Sequence, residues 1–166
     1  MLSLRIGQGE HQYLTISLPD RLDDPSRDPK SSTQSTFWIG ATIDFAVGAF
    51  HGWYRGSCEA ELFAGDLLML RPQLARLYSF EGNQALFSSG LGDVSFEIKG
   101  DGRGNFEATC KARSDENSVQ FMLRFDQTEI PRMMRELDSI IGAYPQLVYD
   151  SRSAGQAPIR IDRNKS

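Results

Sequence analysis

The feature that most limits this chain is an alternation in its middle. Phe37, Ile39, Ala41, Ile43, Phe45 and Val47 recur at every second position, with Trp38, Gly40, Thr42, Asp44 and Ala46 between them. A period of two belongs to a strand with one buried face; a helix repeats its face about every 3.6 residues. Tyr54, Cys58, Ala60 and Leu62 continue the alternation, with Gly56 in phase. A tight connection near Gly48 to His51 makes these two runs an antiparallel hairpin. The expected register sets Phe45 opposite Tyr54, Ile43 opposite Gly56 and Asp44 opposite Arg55. An aromatic pair and an ion pair support it.

The flanking sequence reads in the same way. Residues 2–7 and 11–19 form two strands around a turn at Gly7 to Glu10. Ala85 to Ser88 is a short strand. Runs at Val94–Ile98, Phe106–Ala112 and Val119–Phe125 alternate, separated by turns at Asp101–Asn105 (DGRGN) and Ser114–Asn117. Pairing around the second turn puts Cys110 opposite Phe121 and Glu107 opposite Arg124. Leu67, Leu70, Leu74 and Leu77 have helical spacing, with Asp66 as the expected N-cap. Pro72 predicts a kink or a late start, and Gly82 with Asn83 an end. A second helix opens at Thr128 with Pro131 in its first turn. Ile130, Met133, Met134, Leu137, Ile140, Ile141 and Tyr144 line one side, and Pro145 stops it. Both helices follow a hairpin and an aromatic, Phe63 and Phe125, a faint internal echo.

The order β-β-loop-β-β-α-β-β-β-β-α gives an α+β class: a largely antiparallel meandering β-sheet with two helices packed on one face. Residues 1–149 read as one domain. Within it, residues 20–35 hold four Asp, four Ser, two Pro and a single Leu, the composition of a mobile loop. Residues 150–166 lack periodicity and read as a frayed tail. The net charge is −4. The tail carries four basic and two acidic residues, so the acidity belongs to the body. An acidic body argues against a nucleic-acid partner, because such affinity comes mainly from phosphate neutralisation. The start of the chain lacks a secretory pattern, and no apolar run approaches the ~20 residues that span a bilayer. The expected location is therefore cytoplasmic with no membrane association, and Cys58 and Cys110 are expected to be interior free thiols.

The residues carry no catalytic, cofactor-binding or metal-binding set. P-loop, H-E-x-x-H and C-x-x-C patterns are absent from the sequence. His11 and His51 fall in or beside turns. Gly100, Gly102 and Gly104 join two strands and open no helix, so they read as a hairpin turn. Glu59 and Glu61 share a strand face and read as solvated. What remains is a surface. The sheet face away from the helices carries Trp38, Asp44, Trp53, Arg55, Glu59 and Glu61. Two tryptophans and an arginine on a polar face have the composition of a protein-binding site, and the acids suit a basic partner.

The run FWIGATIDFAVGAFHGWYRGSCEAELFAGDLLMLRPQLARLY resembles the WapI-type bacterial immunity proteins. So does the later course through VSFEIKGDGRGNFEA and VQFMLRFDQTEIPRMMRELDSIIGAYP. The matching features are the early Trp38, the Asp66–Leu67 pair, the glycine turn Asp101 to Gly104, and Tyr144 with Pro145, within residues 36–146. The resemblance implies a bacterial cytoplasmic antitoxin that binds a cognate toxin domain without catalysis. Two alternatives stand beside it. One is a small-molecule binder or small hydrolase with a pocket between sheet and helices, lined by Phe37, Phe87, Phe96, Phe121 and Phe125. The other is a homodimer of structural role.

Overall fold

The structure is a computed structural model that describes residues 1–19, 38–49 and 52–144. The segment 20–35 and the tail 150–166 lie outside the described residues. The elements run β1 (Leu2–Ile6), β2 (Tyr13–Leu18), β3 (Trp38–Ala49), β4 (Gly52–Phe63), α1 (Ala64–Tyr78), β5 (Gln84–Ser88), β6 (Val94–Gly100), β7 (Asn105–Ser114), β8 (Asn117–Asp126) and α2 (Glu129–Ala143). The α+β class with antiparallel strands holds. The strands divide into two four-stranded meanders, β1-β2-β3-β4 and β5-β6-β7-β8.

Each sheet leads into one helix, so the chain is a ββββα unit written twice. The packing repeats as well. Exchange β1 with β5, β2 with β6, β3 with β7, β4 with β8, and α1 with α2. The principal packed pairs of elements then map onto themselves. α1 against β5 becomes α2 against β1, and β4 against β7 becomes β8 against β3. The halves are thus related by an approximate internal twofold, with the α1–α2 contact on its axis. Ala49 and Gly52 stand in the first half where Ser114 and Asn117 stand in the second. The halves differ most in the second connection, which spans residues 19–37 in one and 101–104 in the other.

The helices show why the halves pack alike. Leu67, Leu70, Leu74 and Leu77 are buried in α1, and Ile130, Met133, Leu137 and Ile140 in α2. The spacing of three, four and three is the same in both, so each helix turns one apolar stripe inward. These residues share one core with Leu4, Ile16, Ile43, Leu62, Ile98 and Leu123 from the sheets. Arg71 of α1 then grips Asp138 of α2 through two N–H···O bonds of 2.8 and 3.1 Å.

Several expectations need correction. α1 begins at Ala64, so Asp66 lies inside its first turn instead of capping it, and the helix runs through Pro72. Pro72 is exposed, where its missing N–H strands only a carbonyl that water can reach. The helix ends before Gly82: Phe80 takes a left-handed φ of 59°, and Glu81 N–H bonds Arg76 C=O at 2.9 Å. At the start of α2, Thr128 occupies the cap position but its own N–H is held by Asp126 Oδ1 at 2.8 Å. The β3–β4 register is two residues from the expected one: Phe45 faces Gly56, Asp44 faces Ser57, Val47 faces Tyr54. The reason is volume. A Cβ at Gly56 would clash with Phe45 Cζ, so glycine fits opposite that phenyl group where a larger residue does not. Tyr54 shares the inner parity but stands near the hairpin tip and is 66% exposed. The β7–β8 register is as expected, with Cys110 opposite Phe121 and Glu107 opposite Arg124.

The centre between the sheets breaks the symmetry usefully. One half pairs Phe45 with Gly56; the equivalent pair in the other is Cys110 with Phe121. Large faces small in one hairpin and small faces large in the other. The two phenyl rings therefore stack, centroids 5.1 Å apart.

Candidate protein-binding face

The outer face of the first sheet is built from rows of register partners. Ser3, Ser17, Thr42 and Glu59 form one row; Arg5, Thr15, Asp44 and Ser57 form the next. Arg55 stands opposite Ala46, and Glu61 opposite Gly40. Arg55, Ser57, Glu59 and Glu61 are exposed and Asp44 half-buried. The structure thus brings Asp44, Arg55, Glu59 and Glu61 onto one face. Trp38 is paired with Phe63 and Trp53 with Gly48, at opposite ends of the hairpin. Ten residues of strand separate those pairs, about 33 Å. The side chains of both tryptophans lie outside the described part.

Among the described residues, the acids Asp44, Glu59 and Glu61 of this face have no cationic partner. Glu59 accepts only from the Thr42 hydroxyl, 3.3 Å away, and no ion pair joins Asp44 or Glu61 among the described residues. The equivalent face of the second sheet is different. There Glu97 is bridged by Lys99 at 3.0 Å and Glu107 by Arg124 at 3.2 Å. Among the described residues, the first face is the one whose acids Asp44, Glu59 and Glu61 form no ion pair.

Asp93, which the alternation of the strands does not single out, joins this face with a counter-charge of its own, Arg113 at 4.0 Å. It comes from the β5–β6 turn and accepts the Glu61 N–H at 3.3 Å. Burial raises the Cys58 thiol above its ordinary value, and the negative charges of Asp93, Glu59 and Asp44 raise it further. Cys58 is only half-buried, unlike the fully interior position expected for it, because it borders the open edge of β4. Cys110 is buried, and burial pushes its thiol up to about 12. Both thiols are free.

The remaining features are structural. Asp101 staples the DGRGN turn, accepting from Arg103 N–H at 2.7 Å and Asn105 Nδ2 at 2.7 Å, while Gly102 and Gly104 supply the left-handed φ values of 72° and 94°. His11 lies in the β1–β2 turn, and His51 is outside the described residues. Among the described residues, no three His, Cys, Asp or Glu side chains converge as a metal site, and no helix is long and apolar enough to cross a membrane. Phe87, Phe96, Phe121 and Phe125 fill the core, Phe87 and Phe96 stack at 4.9 Å, and Phe37 lies outside the described residues. An open cleft of about 660 Å³ lies elsewhere, at the end of β7 and β8, between Lys99, Glu107, Arg124 and Asp126.

Fold and surface together define a small α+β module with an acidic sheet face. The chain belongs to the immunity protein WapI-like family, whose pattern it matches over residues 5–145. Curated proteins give no significant match. Solved structures give distant ones. The MRP1/MRP2 crystal structures of Trypanosoma bruciei share 8% identity over 93% of this chain and 88% of theirs, with a TM-score of 0.44. A guide-RNA-binding protein complex bound to a gRNA shares 9% over 84% and 89%, TM-score 0.46. The plant transcriptional regulator PBF-2 shares 13% over 98% and 93%, TM-score 0.40.

Proposed function

We propose that this protein is a cytoplasmic bacterial immunity protein that binds a cognate toxin domain and blocks it by occlusion, without catalysis. Family membership supports the class. The observation that carries the choice of surface is the contrast between the two sheets. Among the described residues, Asp44, Glu59 and Glu61 form no ion pair, whereas Glu97 and Glu107 do. Unpaired surface acids self-repel, and a basic partner relieves that repulsion while being steered in by it. The site is therefore the outer face of β3 and β4, with Asp44, Glu59 and Glu61 as the charged centre, Arg55 beside them, and Trp38 and Trp53 at the two ends. The toxin is a basic protein domain.

The test is co-expression with each neighbouring gene product that is toxic to the host. Growth should be rescued by the wild-type chain and lost with Glu59→Lys plus Glu61→Lys, which leave the core untouched. Rescue that survives both reversals would move the site elsewhere. Absence of rescue by the wild type would refute the immunity role.

A further inference from the structure

A strand at the edge of a sheet leaves the N–H and C=O of every second residue without a ladder partner. This fold has four such edges, at β1, β4, β5 and β8. Two are closed by the helices. Gln73 of α1 accepts from Leu86 N–H (2.8 Å) and donates to Leu86 C=O (3.2 Å) on β5. On β1, Glu136 accepts from Arg5 N–H (2.9 Å) and Arg132 donates to Arg5 C=O (3.1 Å). At β8, the β1–β2 turn approaches the far end, where Gln8 bonds Asp126.

Among the described residues, the β4 edge is met by a side chain at Glu61, near the start of α1, where Asp93 takes the Glu61 N–H. That bond shows which way Glu61 turns its backbone. The period of two then turns the N–H and C=O of Ser57 and Glu59 the same way, to the free side. Along this stretch runs a groove of about 220 Å³, with Gly56, Ser57 and Cys58 on one wall and Arg113, Ser114 and Ser118 of the β7–β8 hairpin on the other. Of these, Glu59 combines free backbone groups with a carboxylate that has no ion-pair partner among the described residues.

We propose that the β4 edge is the docking line, and that its occupant is an extended segment of the toxin with Lys or Arg at every second position. This rests on the immunity reading and says how the partner is held. Main-chain hydrogen bonds to Ser57 and Glu59 extend the sheet by a fifth strand. The alternate basic side chains of that strand then lie on the outer face, about 5 Å (Cβ to Cβ) from Glu59 and close to Glu61. Neither neutral nor acidic strands gain this second set of contacts, so charge pattern gives the specificity.

The test uses the full chain and a synthetic peptide of about nine alternating Lys and Val residues, a peptide with Glu in place of Lys, and the Lys peptide N-methylated on alternate amides. Amide hydrogen exchange is read residue by residue. The Lys peptide should slow exchange at Ser57 and Glu59 by about tenfold or more, and leave Cys58, already bonded to β3, unchanged. The Glu peptide and the N-methylated peptide should give no protection. Ser57→Pro removes the N–H at an edge position that tolerates proline, and Glu59→Lys removes the charge. Each should weaken the Lys peptide by about tenfold. No protection at Ser57 and Glu59, protection confined to β8, or equal binding of the Glu peptide would overturn the docking line. Growth rescue in the co-expression assay is a separate readout, so protection there with no edge effect rejects this docking mode alone.

Discussion

Gln73 and Glu136 hold equivalent places, each reaching from a helix to the free edge of the first strand in the other half. Gln73 serves both backbone groups of Leu86, because an amide both donates and accepts. Glu136 only accepts, so Arg5 needs a second residue, and Arg132 supplies the donor. Arg132 is itself fixed by Glu136 at 2.8 Å and by Glu129 at 2.6 Å. The same structural task is done by one side chain in one half and by three in the other.

That difference makes a prediction about stability. Gln73→Glu leaves Leu86 C=O without a donor and sets a carboxylate against it, costing about 1–2 kcal/mol. Glu136→Gln keeps an acceptor for Arg5 N–H and leaves Arg132 its Glu129 partner, so it should cost less. Urea unfolding of both variants, with unchanged m-values, checks the order.

Gly56 and Phe45 make a second prediction. Gly56→Ala forces the Phe45 ring off its stack with Phe121 and should cost about 1–3 kcal/mol. Phe45→Leu added to Gly56→Ala should recover part of that loss, a coupling visible in a double-mutant cycle. Gly100→Ala meets a milder form of the same problem, with Phe106 Cε1 2.8 Å from the new Cβ.

The thiols should separate kinetically. In the native protein a thiol reagent at about pH 8 should label Cys58 slowly and leave Cys110 untouched until unfolding. Asp93→Asn removes one of the charges that raise the Cys58 thiol, so labelling should quicken. Equal labelling rates for the two cysteines would contradict the burial difference.

Acid stability follows from two carboxylates. The Asn105 side chain and the N–H groups of Arg103 and Asn105 hold Asp101 below its ordinary 3.8. Thr128, through its hydroxyl and N–H, does the same for Asp126. A depressed native pKa contributes stability above the unfolded value and loses it as pH falls through the native one. The wild type should therefore weaken below about pH 4, and Asp101→Asn with Asp126→Asn should flatten that limb. Urea midpoints between neutral and acid pH give the comparison.

How far the sequence foretold this can be seen at particular residues. The helix stripes were legible because Leu67 to Leu77 and Ile130 to Ile140 repeat at helical spacing. The β7–β8 register was legible because alternation and the turn at Asp115 and Glu116 agreed on one pairing. The β3–β4 register was not, because a shift of two keeps every side chain on its own face, and alternation is blind to it. The contact of Phe45 with Gly56 decided it, and that is a matter of volume in three dimensions. The twofold was hidden because the halves share spacing more than residues, and because residues 19–37 lengthen one connection. Asp93 was missed since it lies far along the chain from Glu61 and joins it only through the packing of the two halves.

The central claim is that the acidic outer face and edge of β4 bind a basic toxin domain. Calorimetric titration of the purified chain with the toxin that the co-expression assay identifies tests this most directly. The account predicts a saturable one-to-one complex, weakened by rising salt, and weakened about tenfold or more by Glu59→Lys. A toxin that gives no complex, or a complex indifferent to both salt and Glu59→Lys, would contradict it.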